Sequence, residues 1–288
     1  MDQNQSKNSW CVTIDGSKFS NYGWEMTLEN LLKGGDQIYI VHISSNDDSR
    51  VIPYESQPLT LKSKYETICK GKYPPLNYQI ILEKRSKGND HALEDLYRIA
   101  KSKNVTCIVM GFQGHKANVE KKELSKGIQY MIQNIRIPVL IVKELTLRKE
   151  SDTKGLNWLI CCNPSRNSRT YLNSLKVALT QIDKQHDMVI GMTITKYQTA
   201  EKMLVQEDFE NICKESGIKN CSFRYVLDDK SFSIGQQVAN YVNFGEERID
   251  FVGLGYPIGK YENVDDAPAI NIIKIAITNV LFCPLKTN

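Results

Sequence analysis

Several signatures are missing from this sequence, and each absence removes a class of function. The eight cysteines include no C-x-x-C pair and no zinc-finger spacing, so neither a structural zinc site nor a disulfide framework is expected. The four histidines, His42, His91, His115 and His186, share no metal-ligand spacing. No Walker A lysine motif occurs, which argues against a vigorous P-loop NTPase, and no G-x-S-x-G surrounds any serine. No apolar run is long enough to span a bilayer: the most apolar late stretch, Ala269 to Cys283, is broken by Asn271, Lys274 and Asn279. Met1 to Ser9 is polar and lacks the apolar core of a signal peptide. Charge of one sign is also scarce. The 37 basic residues are nearly balanced by 33 acids, for a net charge of +4, and their dispersal gives no support for a nucleic-acid partner. The expectation is a soluble, cytoplasmic protein with reduced thiols that works on neither a membrane nor a nucleic acid.

What is present is alternation. Short apolar runs suited to buried strands stand at Trp10–Ile14, Ile38–Ile43, Tyr78–Leu82, Val105–Met110 and Val139–Val142. Between them lie helical stripes: Trp24, Leu28, Leu31 and Leu32; a weaker one from Leu59 to Cys69; Leu93, Leu96, Ile99 and Ala100; and Gly127 to Asn134. The order then repeats, with strands at Trp158–Cys162, Met188–Ile194, Phe223–Leu227, Ile249–Leu254 and Val280–Cys283. Helices around Leu172, Ala200–Lys214 and a Ser233-to-Gln236 capping box separate them. Trp10 corresponds with Trp158, Gly111 with Gly255 and Val139 with Val280, at a nearly constant separation. An internal duplication accounts for this. The predicted fold is α/β: two tandem Rossmann-like domains, residues 1–148 and 149–288, each a five-stranded parallel sheet with helices on both faces. Leu145 to Leu156 reads as the linker.

The chemistry is expected where strands end in turns, because parallel sheets bind ligands at their carboxyl edge. Strand one ends in Asp15-Gly16-Ser17, strand two in Val41-His42-Ile43, and strand four in Met110-Gly111-Phe112-Gln113-Gly114. A carboxylate accepts hydrogen bonds from hydroxyls or an exocyclic amine, and close-set backbone N–H groups form an anion nest. These segments, with Ile137-Pro138 and the strand to Val142, resemble the signatures of the universal stress protein family, clearly in the first half and faintly in the second. The resemblance implies ATP or another adenine nucleotide as ligand. Asp15 and the backbone of Ile43 would meet the nucleoside, and Met110, Gly111, Gly114 and Gly127 would supply the strand end and phosphate cradle. The sequence departs from the family after Gly114. Gly127 comes three residues late, and Ile128 stands where the family has a hydroxyl; His115, Lys116, Lys121, Lys122 and Lys126 make the intervening loop basic.

In the second half Asn163 replaces the aspartate and Pro164 removes a backbone donor. The turn reads Gly255-x-x-x-Gly259, and Glu262, Asp265 and Asp266 make the next loop acidic. At most one nucleotide per chain is expected, in the first half. Three readings stay open: a non-enzymatic nucleotide-responsive stress or signalling module, a slow ATP hydrolase on the same site, and a ligand-free scaffold. No catalytic or metal-binding residue is assigned. Family members often dimerise, so the two halves are expected to form an intramolecular pseudo-dimer, with a homodimer as the further assembly. Ser17, Ser20 and Ser165 are expected as helix caps, and His42 as a packed core histidine.

Overall fold

The computed structural model describes residues 7–45, 52–87, 92–114, 126–148, 155–162, 170–196, 200–257 and 268–285. His91, His115, Lys116, Glu120, Lys121, Lys122, Ser125, Asn163, Pro164, Ser165, Gly259, Glu262, Asp265 and Asp266 lie outside them. Two compact units are present, Met1–Leu145 and Thr146–Asn288.

The first unit contains β1 (Ser9–Thr13), α1 (Lys18–Met26), β2 (Gln37–Ser44), α2 (Pro58–Gly71), β3 (Asn77–Lys84), α3 (Ala92–Ser102), β4 (Cys107–Gly111), α4 (Lys126–Asn134) and β5 (Val139–Val142). Its strands pair in the order β3-β2-β1-β4-β5, all parallel. The second contains β6 (Asn157–Cys161), α5 (Thr170–Leu179), β7 (Met188–Thr195), α6 (Ala200–Glu215), β8 (Asn220–Leu227), α7 (Ile234–Phe244), β9 (Phe251–Pro257), α8 (Pro268–Ile275) and β10 (Asn279–Leu285). Its order is β10-β9-β6-β7-β8, again all parallel. Central strands covered on both faces must be apolar throughout, and β1, β4, β5 and β6 carry such runs: Trp10, Cys11, Val12, Ile108, Val109, Ile141, Trp158 and Leu159 are buried.

The duplication extends to strand register. Trp10 faces Ile38 and Cys107, as Trp158 faces Val189 and Phe251. Ile108 faces Val139, as Val252 faces Val280. It also extends to a hydrogen-bonded clamp absent from the sequence reading. The buried Asp36 carboxylate accepts from Asn8 N at 2.9 Å, Trp10 Nε1 at 3.0 Å and Lys33 N at 3.1 Å. Asp187 accepts in the same way from Leu156 N at 2.8 Å, Trp158 Nε1 at 3.2 Å and Asp183 N at 2.9 Å. Each aspartate thereby fixes where the first strand of its unit begins relative to the second, and it gives the indole of a core tryptophan its one required acceptor. Beside each clamp the chain passes close to itself. A Cβ on Gly35, whose φ is +90°, would meet Lys7 Cε at 3.2 Å; a Cβ on Gly155 would overlap the His186 backbone at 2.2 Å. The same crossing carries its glycine on the second partner in one unit and on the first in the other.

Local signals behave as their chemistry dictates. Ser17 caps α1 by accepting from Ser20 N at 3.2 Å; Ser20 itself is no cap, and its hydroxyl donates to Ser17 O. Ser233 and Gln236 form a full capping box on α7. The stripe after Trp24 is not one regular helix: α1 runs into a π-turn over Thr27–Leu31, closed by Leu32 N to Thr27 O. Strand four begins at Cys107 rather than Val105. Asn104 is left-handed with φ of 52°, and Val105 N returns to Ala100 O, so two residues are spent leaving α3. Gly255 needs a larger correction. It does not open a turn but continues β9, paired with Cys283, as far as Pro257 opposite Leu285. The cause is the neighbour: β10 has seven residues and sustains the ladder, whereas β5 has four and lets β4 end at Gly111. Cys161 and Cys162, adjacent at the end of β6, are held protonated by burial, which pushes the Cys161 thiol up to about 12 and that of Cys162 well above its usual value. Among the described residues no helix is long and apolar enough to cross a membrane.

Candidate functional site

The carboxyl ends of β1, β2, β3 and β4 surround a cavity of about 710 Å³, within the range of small-molecule sites. Thr13, Ile14 and Asp15 enter from β1, Val41 to Ser45 from β2, Arg85 from just past β3, and Met110 to Gly114 from β4. Leu93 and Leu96 of α3 and Ile52 add apolar wall. Several of its polar groups have a defined setting.

Asp15 is held by its own turn. Oδ1 accepts from Ser17 N at 2.9 Å, and the Asp15 N–H points to Ser20 Oγ at 3.4 Å. A Cβ on Gly114 would lie 2.7 Å from Asp15 Oδ2, so the bare backbone of Gly114 stands directly against the carboxylate. Gly16, with φ of +82°, turns the chain after Asp15; a Cβ there would meet Ser56 Oγ at 2.5 Å, which lets the segment around Ser56 close on the rim. Ser17 Oγ also reaches Gln113 O at 3.4 Å, tying the start of α1 to the glycine turn. His42 is buried, and its Nδ1 lies 2.8 Å from Ile14 O. A carbonyl only accepts, so Nδ1 carries the hydrogen. The role is both structural and site-lining: the ring ties β2 to β1 and forms part of the wall.

Gly111 has a different reason to be glycine. A Cβ on it would strike the Phe19 backbone and Cβ at 2.8 Å and Ser20 N at 2.9 Å. Its missing side chain admits α1 against the end of β4. Gly127 lies in the first turn of α4 and is not among the residues lining the cavity. Ile128, next to it, is fully buried. The structure thus gathers Asp15, Ile43, Met110, Gly111 and Gly114 around one cavity, and leaves Gly127 apart from it.

No family model and no curated protein sequence matches the chain. Solved structures do. A putative universal stress protein from Pseudomonas aeruginosa UCBPP-PA14 aligns with TM-score 0.60 at 11% identity, over 97% of this chain and 94% of its own. A universal stress protein from Archaeoglobus fulgidus DSM 4304 aligns with TM-score 0.60 at 12% identity, over 96% of each chain. The fold is that of a tandem universal stress protein. The cytoplasmic domain of a prokaryotic cation chloride cotransporter shares it, with TM-score 0.58 and 13% identity over 96% of this chain and 95% of that one. The universal stress fold therefore occurs in proteins of different roles, and function has to be argued from the site.

One charged lining residue escaped the sequence reading. Arg85 follows the last residue of β3, and its N–H donates to Ser44 O at 2.9 Å. In the universal stress fold that places a guanidinium on the cavity wall, beyond β2. The available signal was a basic residue at the carboxyl end of a strand, but Lys84 and Arg85 there look like many other surface charges.

Proposed function

We propose that the first unit binds an adenine nucleotide, ATP included, and that the protein acts as a non-enzymatic, nucleotide-responsive module of stress response or signalling. The supporting observation is the convergence of Asp15, the end of β2 at Ile43 and the turn from Met110 to Gly114 on one cavity at the carboxyl edge of a parallel sheet. Asp15 accepts from ribose hydroxyls or the adenine amine; the Ile43 backbone reads the base edge, and the apolar wall of Leu93, Leu96 and Met110 covers its faces. Asp15 lines the cavity, and its Oδ1 accepts from the Ser17 N–H.

Mass spectrometry of gently purified protein should show bound adenine nucleotide, and calorimetry should give one site per chain. Asp15→Ala should weaken adenosine and ATP alike, by about tenfold or more, as expected for losing hydrogen bonds to a charged acceptor. Gly114→Val should weaken them too, by pushing the Asp15 carboxylate from its position. Absence of any bound or titratable adenine nucleotide in the wild type would favour the scaffold reading. Steady phosphate release abolished by Asp15→Ala would favour the hydrolase.

A further inference from the structure

The described cavity is electrically polar along the sheet edge. Asp15 stands at the end of β1, against Gly114, and Arg85 stands past the end of β3. With β2 between them, two strand spacings put their backbones roughly 10 Å apart. Arg85 Nε is buried and has no hydrogen-bond partner among the described residues. Among the described residues, the nearby acids Asp95 and Glu83 are otherwise engaged. Asp95 accepts from Ser86 N at 2.8 Å and Ser86 Oγ at 2.6 Å and pairs with Arg98, and Glu83 holds Arg98 at 2.5 Å. A guanidinium is donor-only and always charged. Arg85 as a whole is half-buried, but its buried Nε–H without an acceptor carries a desolvation cost, and an anion in the cavity would relieve it.

Among the described residues the glycine turn ends against a carboxylate: Gly114, its last member, faces Asp15. Like charges held close in a partly dry cavity repel.

We propose that Arg85 is the phosphate-binding residue of the first unit. A nucleotide lies with a phosphate on the guanidinium at the β3 side and its hydroxyls or amine on Asp15. This rests on the nucleotide reading of the cavity and inverts the direction that the glycine-cradle resemblance implies. The ligand class is a nucleotide compact enough to span the two charges, with a nucleoside monophosphate as the simplest member.

The test is calorimetry on the full chain with adenosine, AMP and ATP, for wild type, Arg85→Gln and Arg85→Lys, with thermal midpoints confirming that each variant is folded. AMP should bind wild type about tenfold tighter than adenosine, the scale of one charge-assisted contact. Arg85→Gln should bring AMP down to the adenosine level and leave adenosine within about twofold. Arg85→Lys should keep part of the AMP preference, because it retains the charge without the fork. Equal losses for adenosine and AMP would mean that Arg85 only shapes the wall, and the proposal would fall. An AMP preference that survives Arg85→Gln would place the phosphate elsewhere, on the loop lysines first. Inorganic phosphate, followed by broadening of its phosphorus resonance, probes the anion contact without a base. Broadening in wild type that Arg85→Gln removes supports the assignment even if no adenine ligand binds, in which case only the adenine reading fails. Broadening unchanged by Arg85→Gln, or absent in wild type, counts against it.

Discussion

Asp187→Ala is expected to destabilise the second unit by about 3–5 kcal/mol, the scale for removing one partner from a buried charged network. Asp187 is fully buried, and its carboxylate serves the Leu156 and Asp183 N–H groups, the Trp158 indole and the Arg148 guanidinium. Alanine would take one acceptor from all of these together, and no water can reach Trp158 Nε1 without opening the core. Asp36→Ala removes the corresponding acceptor in the first unit, where no arginine takes part among the described residues. Its cost should be smaller, about 1–3 kcal/mol by the price of unsatisfied buried donors. Urea denaturation followed by tryptophan fluorescence measures both. If each variant lost less than about 1 kcal/mol, the clamps would be ornaments of the fold rather than its fastenings.

Lys143→Met should stabilise the protein at neutral pH and remove a pH dependence with a defined sign. Lys143 follows β5 with its Nζ 4.5 Å from the centre of the Phe112 ring, and burial pulls its ammonium down from the ordinary 10.5 to about 7. The unfolded chain keeps the ordinary value. Between about pH 7 and 10.5 the unfolded state therefore holds a proton that the folded state gives up, and stability rises with pH across that window. Below about pH 7 both states are protonated, and the cost of burying the charge is fully present. Each unit of the shift is worth about 1.4 kcal/mol. Buried thiols act in the opposite direction at higher pH: burial lifts Cys107 and Cys161 to about 12, so their contribution is lost as pH climbs from about 9. The informative comparison is pH 7 against pH 8.5. Wild type should gain stability over that interval, and the gap between it and Lys143→Met should narrow. A gap that stays constant or widens would show that Lys143 is charged in the folded protein.

The element order, the duplication and several of the residues that line the candidate cavity were legible in the sequence, because each rests on local signals. Apolar runs, Trp10 and Trp158 at matching positions, Ser17 before a helix and a carboxylate after a strand need no distant partner to be recognised. What was not legible depends on residues far apart. Asp36 and Asp187 look like ordinary turn acids until folding brings tryptophans and backbone donors to them across the sheet. Gly111 looks like half of a phosphate turn, and only the approach of Phe19 shows what fills its bare side. Gly255 looks like the same turn, yet its neighbour β10 keeps it in the ladder. Arg85 is one of 37 basic residues, and only the cavity distinguishes it.

The close crossing beside each clamp has a consequence for how freely the two halves can exchange parts. In the first unit Lys7 passes Gly35, and in the second Gly155 passes His186. Each unit has settled the same steric conflict by giving up a different side chain. A recombinant that moved the opening strand of one half onto the body of the other would set Lys7 against His186, with no glycine on either side, or Gly155 against Gly35, with one more than the crossing needs. The halves repeat one plan, but their first strands and first turns have become matched sets, inherited together or not at all.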